Sequence, residues 1–197
     1  MKLRVGVLQL DIALGDRKKN RENIEKWMAS VSVPSDLPTA VVIPEIWDVG
    51  YALDRAGELA DPEGKDAAAF LGGLARKYGV WFVGGSVLAS TGSGYANRAQ
   101  VIDPKGDLVA YYDKVHLIRL MEEEKYFTGG RKECLFSLEG AKAGCVICYD
   151  IRFCEWLRTY ALKGTEVLFV SAEWPSARAD HWKTLLRARA IENQMFV

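Results

Sequence analysis

Three residues of the 197-residue chain pair a reactive side chain with the same kind of position, just past the carboxyl end of an apolar run: Glu45 after AVVIP, Lys114 after VAYYD and Cys148 after GCVI. Ligand sites in α/β sheets gather at such strand ends. Cys148 also stands between a run that reads as a strand and one that reads as a helix. That puts its sulfur at a sharp turn near a helix amino terminus, where a thiolate is favoured and can act as a nucleophile. Position alone leaves a second reading open, a buried structural cysteine.

The other candidate groups carry less. Cys145 and Cys148 form a C-x-x-C, which would suit redox or zinc chemistry if both thiols faced one way. On a strand, positions three apart face opposite sides. Zinc would also want more ligands than His116 and His181, so no metal is expected. His116 lies two residues from Lys114 and His181 opens a helical run beside Trp182, so both read as structural rather than as the base of a Cys-His site. Arg152 could hold a substrate carboxylate or pair with Glu155 and stays unassigned. Trp174 follows the run Val167 to Val170 and would wall a pocket if that strand neighbours the nucleophile strand.

The elements that must position these groups alternate between strand and helix. Leu3 to Leu10 reads as a strand and Asn20 to Ser30 as an amphipathic helix. Thr39 to Ile43 is a β-branched strand ending at Pro44, and Asp66 to Tyr78 is a helix stopped by Gly79. Trp81 to Val87, Ala96 to Ile102 and Leu108 to Tyr112 are strands, the last two joined as a hairpin through DPKGD. Ala141 to Ile147 is a strand, Glu155 to Leu162 a helix, Val167 to Val170 a strand and Ala179 to Asn193 a longer helix. The expected fold class is α/β with a mixed sheet, in one domain over residues 1–197.

Lys plus Arg balance Asp plus Glu at 26 each, so no net field would recruit nucleic acid or an anionic membrane. The first residues, MKLRVGVLQLD, are interrupted by Arg4 and Gln9 and fall far short of the ~20 apolar residues of a membrane span. Four cysteines without an export signal read as free thiols, and a cytoplasmic location is expected.

IPEIW, DKVHL, GCVICYDIRF and HWKTLLRARAIENQ, in that order, resemble the Glu, Lys and Cys motifs and the following helix of the nitrilase (carbon-nitrogen hydrolase) superfamily. VGVLQLD resembles its first strand. HLIRLMEEEKYF, CYDIRF and AEWP are similar to the omega-amidase-like branch. The resemblance implies a four-layer α-β-β-α sandwich and hydrolysis of a small linear amide without metal or organic cofactor. Glu45 would be the general base, Cys148 the nucleophile, and Lys114 with the backbone N–H of Tyr149 the oxyanion hole. A second glutamate between the Lys and Cys motifs matches Glu123, although a one-residue slip would select Glu122 or Glu124. Omega-amides of 2-oxo dicarboxylates are the implied substrates. N-carbamoyl hydrolysis and nitrilase activity are alternatives, but a nitrilase would carry Trp-Glu where this chain has Tyr149 and Asp150. A non-catalytic interaction protein that keeps the fold is the alternative of another class.

Two features depart from the family pattern. Cys154 stands where relatives often carry proline at the helix start, which touches helix initiation alone. Family members also continue past ARAIENQMFV with further strands. The expectation is therefore a C-terminally incomplete sandwich, either a fragment of a longer polypeptide or a homodimer or higher homo-oligomer that covers the open edge. The helical spacing of Leu185, Leu186, Ala188 and Ile191 predicts an apolar face packed on a sheet, with MFV beginning the next strand.

Overall fold

The short strand Thr39–Val42 shows how the layers are specified. Its side chains alternate, so Ala40 and Val42 enter a core between two sheets while Val41, followed by Ile43, turns to a core beneath helices. The structure, a computed structural model, describes residues 2–197, apart from the surroundings of Gly84. In chain order its elements are β1 (Arg4–Val7), α1 (Arg17–Ser30), β2 (Thr39–Val42), α2 (Ala56–Leu59), β3 (Asp61–Pro62), α3 (Lys65–Tyr78) and β4 (Trp81–Thr91). They continue with β5 (Gly94–Ile102), β6 (Leu108–Asp113), β7 (Cys134–Leu138), β8 (Ala141–Ile147), α4 (Cys154–Leu162), β9 (Val167–Ser171) and α5 (Ala179–Asn193).

The first sheet runs β1-β2-β4-β5-β6, with β3 also paired to β4. Its β1, β2 and β4 are parallel, and the hairpins β4–β5 and β5–β6 are antiparallel. The second sheet is β7-β8-β9, antiparallel and then parallel. Helix α1 buries Asn20, Ile24 and Met28 at a spacing of four, and Asp16 caps it by accepting the Lys19 N–H at 2.9 Å. Helix α3 buries Ala67, Leu71, Leu74 and Ala75 and ends at Gly79, whose φ of 64° lets its N–H reach the Ala75 carbonyl. Both helices cover the outer face of the first sheet. Its inner face packs against the second sheet, so that Val83, Val101 and Tyr112 share one cluster with Ala143, Cys145 and Phe169. Leu157 and Tyr160 of α4 join that cluster. The layers are thus helix, sheet, sheet and helix, the expected sandwich.

Helix α5 departs from the expectation. Of its residues Arg189 alone is buried, and Ile191 is 78% exposed. The helix is held by polar bonds rather than by an apolar face on a sheet: Arg189 Nε donates to the Ile151 carbonyl at 3.0 Å and Nη2 to the Arg152 carbonyl at 3.3 Å. Beyond it the chain does turn into strand geometry. Phe196 bridges Val167 in parallel, with its N–H donating to the Glu166 carbonyl and its carbonyl accepting the Leu168 N–H.

Candidate active site

Glu45 sits in a turn that the backbone adopts at a cost. Ile46, a β-branched residue, has φ of 43°, and such left-handed residues cost roughly 1–3 kcal/mol. Ser86, buried at the irregularity in β4, holds the turn open by three bonds: its Oγ accepts the Ile46 N–H at 2.8 Å, its carbonyl accepts the Trp47 N–H at 3.0 Å, and its own N–H donates to the Pro44 carbonyl at 3.2 Å. Lys114 follows β6, fixed by its N–H on the Asn97 carbonyl at 2.9 Å. Glu123 lies in a short helical turn over Glu123–Lys125, and its Oε2 accepts the Ile118 N–H at 2.8 Å.

These groups meet in the interior. Lys114 Nζ lies 2.7 Å from Glu45 Oε1 and 2.8 Å from Glu123 Oε1, with all three side chains buried. Of the three consecutive glutamates Glu123 is the one brought into this group, while Glu122 pairs with exposed Lys125 and Glu124 is exposed. Glu45 Oε1 also accepts the Asn97 Nδ2 at 2.8 Å, and Oε2 accepts the Glu173 N–H at 3.0 Å. Tyr51 donates its hydroxyl to Glu123 Oε1 at 2.9 Å. Cys148 is buried and points its thiol at the Glu173 carbonyl, 4.0 Å away.

The electrostatics follow from burial set against pairing. Burial acts to raise the Glu45 carboxyl, but the charge and hydrogen bond of Lys114 and the Glu173 N–H outweigh it and hold it below the usual range. Burial acts to lower Lys114, and Glu45 and Glu123 outweigh it, so the ammonium stays charged far into the alkaline range. Cys148 is pushed well above an ordinary thiol, first by burial and then by the Glu45 charge, with Lys114 opposing. Cys148 is thus a thiol at rest, the form from which the expected general base would take a proton. The sharp turn is present, with Cys148 at φ of 45°, but the sulfur sits in a buried site beside a carboxylate and keeps its proton.

Asp150 sets that turn. Its Oδ2 accepts the Ile147 N–H at 3.0 Å and the Tyr112 hydroxyl at 2.8 Å, and its Oδ1 accepts the His116 N–H at 3.0 Å and contacts His116 Nδ1 at 2.7 Å. The imidazole stacks on Phe153 at 3.7 Å, so His116 is a structural partner of the Cys148 turn. Tyr149 follows Cys148 within the short helical turn Cys148–Arg152, where leading N–H groups lack partners inside the turn. Cys145 is not paired with Cys148. It stands opposite Cys134 in the β7–β8 register, and the Tyr160 hydroxyl bridges the Cys134 N–H and the Cys145 carbonyl at 3.1 Å each. Among the described residues no group of three or more His, Cys, Asp or Glu could hold a metal ion.

The carbon-nitrogen hydrolase family matches residues 4–197. The chain belongs to the carbon-nitrogen hydrolase family. It is 45% identical over 197 residues, all of this chain and 75% of the relative, to 2-oxoglutaramate amidase of Bacillus subtilis (strain 168). It is 38% identical over 198 residues to a hydrolase in the agr operon of Staphylococcus aureus, covering 99% of this chain and 75% of that one. The crystal structure of XC1258 from Xanthomonas campestris, a CN-hydrolase superfamily protein, superposes with a TM-score of 0.87 at 31% identity over 98% of this chain and 73% of that chain.

In this carbon-nitrogen hydrolase several site residues escape sequence reading. Asn97, Ser86, Tyr51 and Glu173 touch Glu45, its turn or its partners, and nothing in their local sequence marks them. Trp174 follows β9, which does pair with β8, the strand that ends before Cys148. Its ring packs tilted against that of Trp182, with centroids 4.9 Å apart, and it lines a cavity of about 350 Å³ with Pro44 and Glu173, neighbours of Glu45 and Cys148 rather than those groups themselves. Arg152 lies over the Trp174 ring at 4.9 Å and the Tyr149 ring at 5.6 Å instead of pairing with Glu155.

Proposed function

We propose that this carbon-nitrogen hydrolase is a cysteine-dependent amidase that converts a small linear amide to a carboxylic acid and ammonia through a thioester, with omega-amides of 2-oxo dicarboxylates as its substrates. The observation that carries the reading is the buried Lys114 bridging Glu45 and Glu123 beside the Cys148 thiol. The name of the B. subtilis relative supports the substrate class.

In this reading Glu45 takes the Cys148 proton while the sulfur attacks the amide carbon. A carboxylate held low and a thiol held high make full proton transfer uphill at rest. Transfer therefore accompanies attack, when the negative charge leaves sulfur for the carbonyl oxygen. Lys114 and the Tyr149 N–H receive that charge, and such donors are worth about 3–4 kcal/mol each. Glu45 then protonates the departing ammonia and activates the water that opens the thioester. Glu123 keeps Lys114 aimed. The steps use no metal or organic cofactor.

The same reading takes residues 1–197 as one carbon-nitrogen hydrolase domain working in the cytoplasm as a homodimer or larger homo-oligomer. Four free cysteines fit a reducing compartment, and no helix is long and apolar enough to cross a membrane among the described residues. Exposed Leu162 and Ile191 and the exposed Val5 and Val7 of the edge strand β1 favour association. Sizing chromatography tests it, with a monomer at working concentration as the contrary result.

Ammonia release from a panel of omega-amides, simple amides, N-carbamoyl amino acids and nitriles tests the activity, with Cys148→Ala in parallel. Turnover of the omega-amides that Cys148→Ala abolishes without lowering the melting temperature is the expected outcome. Activity retained in that variant, or turnover of nitriles alone, refutes the reading.

A further inference from the structure

Asn97 is buried in β5, opposite Leu88 of β4, at a position where an apolar side chain would pack without cost. Its Nδ2 donates to Glu45 Oε1 at 2.8 Å, and its Oδ1 has no partner among the described residues. A buried amide oxygen left unpaired is costly, and leucine, similar in size, would remove that cost. The one bond this side chain makes among the described residues is to Glu45. The same residue's carbonyl accepts the Lys114 N–H at 2.9 Å, so Asn97 touches both Glu45 and the Lys114 backbone.

The bonding divides the two oxygens of Glu45. Oε1 carries two donors, Lys114 Nζ at 2.7 Å and Asn97 Nδ2 at 2.8 Å. Oε2 accepts the Glu173 N–H at 3.0 Å, and it is the carbonyl of that same residue that lies 4.0 Å from Cys148 Sγ. Oε1 is thus committed as an acceptor whether Glu45 is charged or neutral. A proton leaving sulfur must then settle on Oε2. We propose that Asn97 is a positioning residue that commits Oε1 of Glu45 as an acceptor, leaving Oε2 to exchange the proton with Cys148 and later with the leaving ammonia. Resting on the reading of Glu45 as general base, the role has two consequences. The plane of the carboxyl is fixed, and a donor to the ionised form keeps Glu45 ready as a base at lower pH.

The test is the pH profile of kcat/KM for an omega-amide in Asn97→Leu and Asn97→Ala, with Glu45→Gln alongside. Removing the donor makes the ionised carboxyl less favourable, so the acidic limb moves up by about one pH unit in both variants. On the plateau above that limb the freed carboxyl plane lowers kcat at least about tenfold while KM stays within about twofold, because Asn97 acts through Glu45. Melting curves establish that the variants fold. A wild-type acidic limb and kcat in folded Asn97→Leu, with Glu45→Gln inactive, overturns the Asn97 role and leaves the base in place. Full turnover by Glu45→Gln overturns the base itself, and the Asn97 role with it. Failure of both Asn97 variants to fold also overturns the proposal, since the residue is then structural.

Discussion

Replacing Asp150 by Asn keeps the shape of the side chain and removes what the Cys148 turn depends on. The carboxylate takes two backbone N–H groups and two side-chain partners, and the residue is fully buried. An amide can accept on one side only. If the NH₂ replaces Oδ2 it faces the Ile147 N–H, and if it replaces Oδ1 it faces the His116 N–H. Either way one buried backbone donor meets a donor, a cost of about 1–3 kcal/mol, and the surviving bonds lose their charge assistance, about 1 kcal/mol each. The expected loss is about 3–5 kcal/mol, which for a chain of this size lowers the melting temperature by roughly 10 °C. Because Ile147 immediately precedes Cys148 at φ of 45°, turnover should fall in the fraction that remains folded. Urea titration of both proteins, followed by ammonia release at a temperature where both are native, measures the two effects separately. A variant within about 1 kcal/mol of wild type and fully active would refute the account of the turn.

Three further outcomes are expected. Cys145→Ala should leave turnover largely intact, because that thiol faces Cys134 rather than the site; equal loss of ammonia release in Cys145→Ala and Cys148→Ala would revive the C-x-x-C reading. Lys114→Met should be destabilised by about 3–5 kcal/mol at pH 8 in urea titration, because it leaves Glu45 and Glu123 buried without their cation; the deficit should shrink as acid protonates one of them, and a deficit flat with pH counts against it. Burial pushes the Asp48 carboxyl up to about 6 against the Arg17 charge, so the folded state binds the extra proton between pH 3.8 and about 6 and stability falls as pH rises through that window. Across the window the fall amounts to about 3 kcal/mol, so Asp48→Asn should flatten the urea midpoint over this range, and an unchanged slope would contradict it.

What can be read from the sequence is local. Gly79 marks the end of α3 because an αL position after a helix selects glycine, and DPKGD marks the β5–β6 turn, where Asp103 caps the N–H groups of Lys105 and Asp107. β4 runs on to Thr91, beyond the expected Val87, because pairing with β5 as far as Thr91 opposite Gly94, a partner outside the local sequence, carries the strand on. β7 escapes the sequence reading for a different reason: in CLFSL four of five residues are apolar, so the burial alternation of an edge strand leaves no trace in the pattern. Glu45, Lys114, Glu123 and Cys148 are legible through motif resemblance. Asn97 and Ser86 are not, since each acts on the Glu45 turn from 52 and 40 residues away along the chain, through partners fixed only by sheet pairing.

Sheet pairing also decides where the site lies and what disturbs it. Glu45, Asn97 and Lys114 belong to the first sheet and its strand ends, while Cys148 and Glu173 belong to the second. The contacts that join them, Glu173 N–H to Glu45 Oε2 and Cys148 Sγ toward the Glu173 carbonyl, cross from one sheet to the other. Relative placement of Glu45 and the Cys148 sulfur is therefore set by how the sheets pack, through small residues such as Ala99 and Ala143 as much as through any polar bond. Close-packed interiors transmit a change of one methylene, so enlarging Ala143 to valine would push the sheets apart where it matters. A shift of about 1 Å between reacting groups can cost on the order of 10²-fold in rate. The chemistry of this chain is thus a property of its inter-sheet core, and activity should fail before the fold does.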